Sequence, residues 1–385
     1  MRVAIVTETH QPDAGGRSWV LGRLGRGLAG LGHDVRVWSG GAGRGVYEER
    51  VGGCRVSRMG MNPWGRLVGA WREERPEVVY IAMEGWRGMG AVAAARSLGI
   101  SFGMEYGEGF GERVAGCGLG WLRRPAERMQ QWVHGLGAFT VVGSRGEVEM
   151  LERGGYDRVV RVGSGVDCEW FHPDYRDEAL RRAWGVSPWH VVVLMGGRVV
   201  RDGNLPLALE AVKGLQSRGV RVQAVVAGEG VFLEECRERW PWAVYTGGID
   251  RRRLAVTAAS CDLLALPGKV GTSGREVLEG MASGLPVVAI DSGVVREHVV
   301  HGVNGWVETP GSDAGYARLL GRVVQMTEEQ RLPVCRGARR TALGLTWEVV
   351  VGRFEAVLLA VCGRGLAGGS DTADGAFAVG ELNFP

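Results

Sequence analysis

Lysine is nearly absent from this sequence: Lys213 and Lys269 are the only two, and arginine supplies the remaining basic residues. The net charge is also small, because 46 basic residues stand against 43 acidic ones, for a formal net charge of +3. So small an excess argues against the extended basic surface that nucleic-acid binding requires. We therefore expect no nucleic acid among the partners.

Paired cysteines and long apolar runs are missing as well. The seven cysteines include no CxxC pair and are odd in number, which argues against a disulfide framework or a structural zinc site. No apolar run approaches the ~20 residues that a membrane span needs. The N-terminus enters an apolar strand directly, without the basic segment and apolar core of a signal peptide. These absences predict a cytoplasmic protein and leave open a peripheral position at the inner face of a membrane.

What the sequence does contain is a regular alternation of short apolar runs and helical patterns, which predicts parallel sheets in an α/β protein. Its 385 residues are enough for two domains of ordinary size. Predicted strands cover residues 3–6, 35–38, 78–83, 101–104, 139–142, 159–162, 191–195, 220–226, 262–266 and 287–290. Predicted helices include residues 18–30 and 88–98.

Punctuating residues mark where the predicted elements begin and end. Ser144 is suited to cap a helix, with Glu147 three residues later completing a capping box. Residues 171–188 carry two prolines and a charged cluster, and we interpret them as a linker. A last amphipathic helix is expected over about 347–361, and the glycine-rich residues 364–385 are expected to be disordered.

Residues 271–306 are the most informative stretch. The small residues Thr272, Ser273 and Gly274 lead into a helical pattern over 276–282, and an apolar run over 285–290 follows. A glycine-flanked helix N-terminus at the carboxyl end of a parallel strand favours anions, because free N–H groups and the helix dipole converge there. From these residues alone, an ordinary αβ unit of a doubly wound protein remains the simpler alternative.

The longer strings resemble family 4 of the retaining glycosyltransferases. The resemblance is carried by LEGMASGLPVVAIDSG at 278–293 and REHVVHGVNGW at 296–306, the donor-binding segment of that family. It extends to VAIVTETHQPDAGG at 3–16, GRGLAGLGHDVRVW at 25–38, VGSGVDCEWFHP at 162–173 and GGRVVRDGNLPLALEA at 196–211. Within the family, the branch of GDP-mannose-dependent and glycolipid-forming enzymes is the most similar.

This resemblance implies a GT-B fold, in which two Rossmann-like domains with parallel sheets face each other. The first domain, 1–174, would lie on the acceptor side, and the second, 175–347, would bind the nucleotide sugar. The helix over 348–363 would cross back to the first domain. The implied reaction moves a hexose, with mannose as one candidate, from a nucleotide diphosphate sugar to a hydroxyl of an acceptor glycan or lipid, and retains the anomeric configuration. The resemblance implies no bound metal or other cofactor.

The resemblance also assigns donor-binding residues, although no catalytic residue is identified. Arg198 matches the family arginine on the diphosphate, where a planar guanidinium suits bidentate phosphate contact. Glu279 matches the glutamate that binds the ribose hydroxyls. The other expected donor-binding residues are Gly15 and Gly16 of the first loop, Arg201, and the segment Thr272, Ser273, Gly274 and Arg275.

Several positions depart from the family pattern. Gly203 stands where a phosphate-binding lysine is usual, and Gly271 where a carboxylate near the donor sugar is usual. Gly107 aligns approximately with a first-domain histidine, and Ser164 with an asparagine. Two alternatives to an active transferase therefore stay open: a homologue that binds nucleotide sugar without turnover, and another GT-B enzyme such as an epimerase or a phosphorylase.

Residues 119–135, LGWLRRPAERMQQWVHG, admit two interpretations. The pattern fits a helix with one face in the core and the other in solvent. It also fits a peripheral membrane contact through arginine and tryptophan. The sequence does not decide between the two.

Overall fold

The computed structural model describes residues 1–8, 17–40, 48–60, 62–82, 84–107, 110–111, 118, 120–197, 199–268 and 274–363. Of residues 17, 48, 49, 202, 293 and 294 only the backbone is described. The expected disordered tail, 364–385, lies outside the described residues. The chain divides into two compact units, a first unit of Met1–Gly163 with Val350–Pro385 and a second unit of Ser164–Val349.

The first unit is built on an eight-stranded sheet. Its strands are β1 (Arg2–Thr7), β2 (Asp34–Gly40), β3 (Glu48–Val51), β4 (Cys54–Met59), β5 (Val78–Ile81), β6 (Ser101–Glu105), β7 (Phe139–Val142) and β8 (Val159–Arg161). Its helices are α1 (Arg17–Gly30), α2 (Pro63–Glu73), α3 (Trp86–Ser97), α4 (Arg123–Gly135) and α5 (Arg145–Arg153). The strand order is β3-β4-β2-β1-β5-β6-β7-β8, and every pairing is parallel except that of β3 with β4.

The antiparallel hairpin of β3 and β4 was not predicted, although the sequence carries its signal. Gly52 and Gly53 form a two-residue turn with φ of +56° and +85°, so both occupy the left-handed region. Two such residues are what a type I′ hairpin turn needs, and a Gly-Gly pair supplies them without a steric penalty. Charged residues in both strands interrupt the apolar pattern that predicts a strand, and of the two only β3 lies at the edge of the sheet.

The second unit is built on a six-stranded, wholly parallel sheet in the order β11-β10-β9-β12-β13-β14. Its strands are β9 (Val191–Gly196), β10 (Val222–Ala227), β11 (Val244–Gly247), β12 (Leu263–Leu266), β13 (Val287–Ile290) and β14 (Gly305–Glu308). Its helices are α6 (Glu178–Ala183), α7 (Leu205–Gln216), α8 (Leu233–Arg239), α9 (Arg251–Ala259), α10 (Arg275–Ala282), α11 (Gly293–His298), α12 (Asp313–Val324) and α13 (Glu328–Leu343).

The central strands of the second unit are buried on both faces. Along β9, Val192 and Leu194 pack into one apolar cluster, while Val193 and Met195 pack into the other. Side chains of successive strand residues point to opposite faces, so a strand covered on both sides must be apolar throughout. This confirms the prediction of a doubly covered parallel sheet from continuous apolar runs.

The last helix, α14 (Trp347–Val361), contributes its described C-terminal part to the first unit. Phe354 is fully buried, and its ring lies 4.8 Å from that of Tyr80 on β5 in an edge-to-face arrangement. Glu355 accepts a hydrogen bond from Nε2 of His33 at 2.7 Å. The first unit is therefore completed by residues that follow the whole of the second unit in sequence.

Most sequence-predicted elements are present with boundaries shifted by one or two residues. The helix at 18–30, the last helix and the ten predicted strands are confirmed, and Ser144 forms its capping box with Glu147. The edge strands β11 and β14 were missed, because each is short and only partly apolar. Residues 171–188, interpreted as a linker, contain a 3₁₀ turn and α6 and belong to the second unit, in which Phe171 is fully buried.

The division between the units falls at Gly163 and Ser164, whereas the sequence analysis placed it at Asp174. The roles expected of the two domains stay predictions. No helix in the described part of the chain combines the length and apolar character needed to cross a bilayer.

Candidate functional site

In the second unit the site begins at the point where the strand order reverses. From β9 the chain proceeds outward to β10 and β11, then returns to β12 on the other side of β9 and continues to β13 and β14. The crevice outside the carboxyl ends of β9 and β12 is thus a topological switch point, the usual ligand site of such sheets. The loop after β9 and the start of α10, which follows β12, meet there.

Three glycines allow the loops after β9 and β10 to approach each other closely. Gly197 and Gly228 adopt φ of +100° and +152°. A Cβ on Gly228 would lie 2.0 Å from the carbonyl oxygen of Gly197, and one on Gly230 equally close to that of Val199. Real side chains do not tolerate such distances, so only glycine fits at these positions. At these glycine positions the crevice is consequently lined by backbone atoms.

Helix α10 directs its N-terminus toward this crevice. Its N-cap residue, Gly274, is left-handed with φ of +61° and has no side chain to cap the first N–H groups. At the other end Gly284, with φ of +81°, follows the C-cap residue Ser283. Uncapped N–H groups and the positive end of the helix dipole favour a negatively charged ligand.

Glu279 lies on α10 and is almost completely buried, with 6% of its surface exposed. Nη2 of Arg251, the first residue of α9, lies 2.9 Å from its Oε1, and Nε of Arg275 lies 3.6 Å from the same atom. Burial raises the pKa of Glu279 above its ordinary value, and the two guanidinium groups oppose that shift. The carboxylate is therefore held in an ion cluster at the crevice.

The predicted site residues are only partly within the described structure. Gly15, Gly16, Arg198, Thr272 and Ser273 lie outside the described residues, as does Gly271. Glu279, Gly274 and Arg275 are brought together at the start of α10.

Arg201, expected near the donor phosphates, is three-quarters exposed in a 3₁₀ turn. It forms an ion pair of 2.8 Å with Glu235 and lies over the ring of Phe232 at 4.7 Å. Its charge is therefore engaged within its own loop and α8. Gly203, at the position of the expected lysine, ends the same turn.

The first unit has its own switch point, between β1 and β5. Glu8, which follows β1, forms an ion pair with Nη1 of Arg87 and accepts a hydrogen bond of 3.3 Å from its backbone N–H. Gly85 lies so close that a Cβ there would be 2.2 Å from Oε1 of Glu8. This crevice is occupied by an ion pair.

Beside it, a buried polar network fixes the turn after β6. Oε1 of Glu84 accepts hydrogen bonds from the N–H of Gly107 at 2.9 Å, from Gln130 at 2.6 Å and from Nε2 of His134 at 2.9 Å. Nδ1 of His134 lies 3.0 Å from the hydroxyl of Thr140. Gly107 aligns approximately with a family histidine, and here both its N–H and its C=O are held by this network.

Sequence reasoning missed Arg251, Glu276, Glu84 and His134 as residues of these two edges. Arg251 gave no signal, because it is one of three consecutive arginines after the helix cap Asp250. His134 was visible only as part of an amphipathic pattern. Among the described residues, no three His, Cys, Asp or Glu side chains are grouped closely enough to hold a metal ion.

Comparison with known proteins shows that both halves of the chain match models of glycosyltransferase families. Residues 177–333 match the family described as "Glycosyl transferases group 1", and residues 15–165 match "Glycosyl transferase 4-like domain". A GDP-mannose-dependent alpha-mannosyltransferase of Mycolicibacterium smegmatis is 30% identical over 377 residues, covering 93% of this chain and 98% of the relative. The chain belongs to glycosyltransferase family 4.

A second relative of this family 4 chain is a GDP-mannose-dependent alpha-(1-6)-phosphatidylinositol dimannoside mannosyltransferase of Mycobacterium tuberculosis. It is 29% identical, covering 94% of this chain and 96% of the relative. The family membership confirms the resemblance stated from the sequence and establishes a glycosyltransferase.

Solved structures agree on the fold at low sequence identity. A glycosyltransferase of Rickettsia africae aligns with a TM-score of 0.74 at 14% identity, covering 94% of this chain and 98% of that one. The Anabaena protein HepE, solved with UDP and glucose, aligns with a TM-score of 0.72 at 16% identity, covering 94% and 99%. The predicted GT-B class, with two parallel-sheet α/β domains, is confirmed.

Proposed function

We propose that this family 4 glycosyltransferase moves mannose from GDP-mannose to a hydroxyl of a glycan or glycolipid acceptor, with retention of configuration. The observation that carries the donor is the relative from Mycolicibacterium smegmatis, described as GDP-mannose-dependent, which matches nearly end to end. The Mycobacterium tuberculosis relative, described as acting on a phosphatidylinositol dimannoside, supports a glycolipid acceptor. The nucleotide sugar serves as co-substrate, and the proposal includes no metal or other cofactor.

In the proposed mechanism the second unit stabilises the charge that grows on the departing diphosphate. The uncapped N–H groups of α10 and the guanidinium of Arg198 supply positive potential, together with the backbone of Thr272, Ser273 and Gly274. Glu279, with Arg275 beside it, would orient the ribose. Groups fixed in place before the reaction need no reorganisation as charge develops, which is why such an arrangement accelerates the step.

The test is a donor panel with purified protein, read by release of nucleoside diphosphate. We expect GDP-mannose to be consumed faster than UDP-glucose, GDP-fucose or ADP-glucose when a mannosylated lipid is supplied. The Arg198→Ala variant should lose affinity for GDP and keep its affinity for guanosine, because the substitution removes a charge-assisted phosphate contact. Consumption of a different donor would refute the assignment of GDP-mannose.

A second candidate is a homologue that binds the nucleotide sugar without turning it over. Gly203 and Gly271 in place of a cation and a carboxylate favour it, since the missing cation would stabilise the departing diphosphate and the missing carboxylate would hold the donor sugar. The Gly203→Lys/Gly271→Glu double variant separates the two candidates. Turnover that appears only in the double variant would support the second candidate, and robust turnover in the original chain would refute it.

The acceptor side of the proposal includes contact with an anionic membrane surface through α4 and the turn before it. The buried face of α4 is formed by Ala126, Gln130, Val133 and His134. Its outward residues include Trp132, 60% exposed, and Met129, 45% exposed, while Trp121 in the preceding turn is 77% exposed. Arg123, Arg124 and Arg128 are exposed on the same segment. Tryptophan with arginine is typical of helices that lie at a lipid interface.

Vesicle co-sedimentation tests this contact. We expect binding to vesicles with phosphatidylglycerol and little binding to phosphatidylcholine alone, with loss of binding in the Trp121→Ala/Trp132→Ala variant. Trp189→Ala is the matched control, because Trp189 is equally exposed, at 78%, in the second unit. Equal sedimentation of the two variants would refute a role for α4. A positive result would support attachment to an anionic membrane surface through α4.

A further inference from the structure

Glu276 occupies an unexpected position at the switch point of the second unit. It is the second residue of α10, five residues after Gly271. Its side chain reaches across the crevice to the end of β9, where a Cβ on Gly197 would lie 2.9 Å from Oε1 and 3.1 Å from Cγ of Glu276. The bare Cα of Gly197 is what lets this carboxylate lie there.

The other oxygen of Glu276 is left without a partner in the described part of the protein. Oε2 is inaccessible to solvent and accepts no hydrogen bond from any described residue. A buried carboxylate oxygen without a donor is unfavourable, so a hydroxyl group that a ligand brings to it would stabilise it. Two described backbone groups beside it are already used: the N–H of Gly197 bonds to the carbonyl of Ala227 and that of Val199 to the carbonyl of Glu229.

Two arginines in the described part of the chain approach the neighbouring glutamate on α10. Arg251 and Arg275 both approach Oε1 of Glu279, one helical turn further along α10. The Glu276 carboxylate instead lies toward the end of β9. A carboxylate there repels a phosphate, but it accepts hydrogen bonds from hydroxyl groups readily.

We infer that Glu276 binds a hydroxyl of the transferred sugar and thereby supplies the carboxylate that Gly271 lacks. The inference rests on the proposed function, since it requires a nucleotide sugar at this crevice. It assigns the recognition of the hexose to a residue at the start of α10 rather than to the loop before it. Glu276 is on this account a specificity-determining residue, separate from the groups that hold the diphosphate.

Calorimetry with GDP-mannose and GDP tests the inference. Wild type is measured first against the donor panel, and a wild type that binds no nucleotide sugar refutes the proposed function before any variant is considered. The Glu276→Gln variant should bind GDP-mannose about tenfold more weakly, the effect of losing one charge-assisted hydrogen bond, and should bind GDP within about twofold of wild type. Glu238→Gln is the matched control, because Glu238 is an exposed glutamate near the end of α8.

Deoxy analogues of GDP-mannose sharpen the result. The analogue that lacks the bound hydroxyl should have the same affinity for wild type and Glu276→Gln, which identifies that hydroxyl. Equal weakening of GDP and GDP-mannose would overturn the inference and show that Glu276 orients a phosphate-binding group such as Arg198. Unchanged affinity for both ligands with a lower melting temperature would overturn it as well, and would reduce Glu276 to a stabilising residue in the first turn of α10.

Discussion

Between β1 and β5 of the first unit, the crevice at the sheet edge is filled by the ion pair of Glu8 and Arg87. Between β9 and β12 of the second unit, the corresponding crevice is walled by Gly197, Gly228 and Gly230. The first edge is held by side chains that contact one another. At the second edge, glycines without side chains let the backbone of the loops after β9 and β10 come into contact.

The difference has a consequence for tolerance to substitution. Loops that touch through glycines have no room for an added Cβ, whereas an edge closed by an ion pair depends on both of its charged side chains. The glycine contacts of the second edge should therefore be damaged by adding atoms, and the ion pair of the first edge by removing them. Gly228→Ala and Arg87→Met test this contrast directly, while Arg251→Ala tests an ion pair of the second unit and Gly214→Ala a glycine away from the edge.

The largest effect is expected from Gly228→Ala. Its Cβ would lie 2.0 Å from the carbonyl oxygen of Gly197, and its φ of +152° is strained for any other residue. We expect the second unit to lose about 4 kcal/mol or more of stability, measured by hydrogen exchange across residues 164–349. Gly196→Ala is the control, since its Cβ would meet only the carbonyl of Ala227 at 3.8 Å. If both variants exchange like wild type, the close approach of the two loops is not what holds this edge.

Arg251→Ala should come next, with a dependence on pH. Burial already raises the pKa of Glu279, so the folded state binds more protons than the unfolded chain between the two pKa values, and stability falls as pH rises through that range. Loss of Arg251 raises the pKa of Glu279 further. We expect a loss of about 3 kcal/mol at pH 8 and a smaller loss at pH 5, measured by urea unfolding.

Two further variants control for this result. The Arg251→Ala/Glu279→Gln double variant should recover most of the stability at pH 8, because no charge is left buried. Arg252→Ala changes an exposed arginine beside it and should leave stability unchanged. A loss of the same size at both pH values would show that Arg251 acts through packing, for example through its contact with the ring of Phe171 at 5.3 Å.

In the first unit, Arg87→Met should cost about 2 kcal/mol. The substitution leaves the carboxylate of Glu8, whose side chain is 16% exposed, without its cation. Thermal unfolding of Arg87→Met, Glu8→Gln and the double variant forms a cycle that isolates the coupling of the pair. Additive losses would mean that the ion pair does not hold this edge together.

The smallest effect is an expected gain from Gly214→Ala on α7. A Cβ at Gly214 meets nothing within 4 Å, so the exchange removes only the conformational freedom of glycine within a helix. We expect a gain of about 0.5–1 kcal/mol in the second unit by thermal unfolding. A loss there would show that glycines of the second unit are sensitive wherever they lie, and the contrast between the edges would disappear.

The fold was readable from the sequence wherever burial forces a continuous pattern, as in Val191–Gly196 and Val287–Ile290. The edge strands β3, β11 and β14 escaped because they are short and carry no such continuous apolar pattern, whereas the edge strand β8 was predicted. The start of α10 was also readable, since glycine and small residues before a helix favour an anion. The partner of Glu279 was not, because Arg251 comes from a different helix and its pairing depends on tertiary packing alone.

The same limit applies to the network around Glu84. Its members Gln130, His134 and Thr140 lie more than forty residues further along the chain, and single-sequence patterns do not report such contacts. Glu276, too, was visible only as one polar residue of an amphipathic helix. Its contact with Gly197 connects the start of α10 with the loop after β9, and these two segments are distant in the sequence.

Helix α14 also determines the order in which the two units can complete their folding during synthesis of the protein. Val350, Phe354 and Leu358 are fully buried, and Phe354 packs on Tyr80 within the first unit, yet the ribosome makes them after every residue of the second unit. Domains usually fold as they emerge, N-terminal first. Here the second unit can finish folding while the first still waits for its last segment. A chain that stops at residue 349 would then carry one finished unit and one with an apolar surface open to chaperones and proteases.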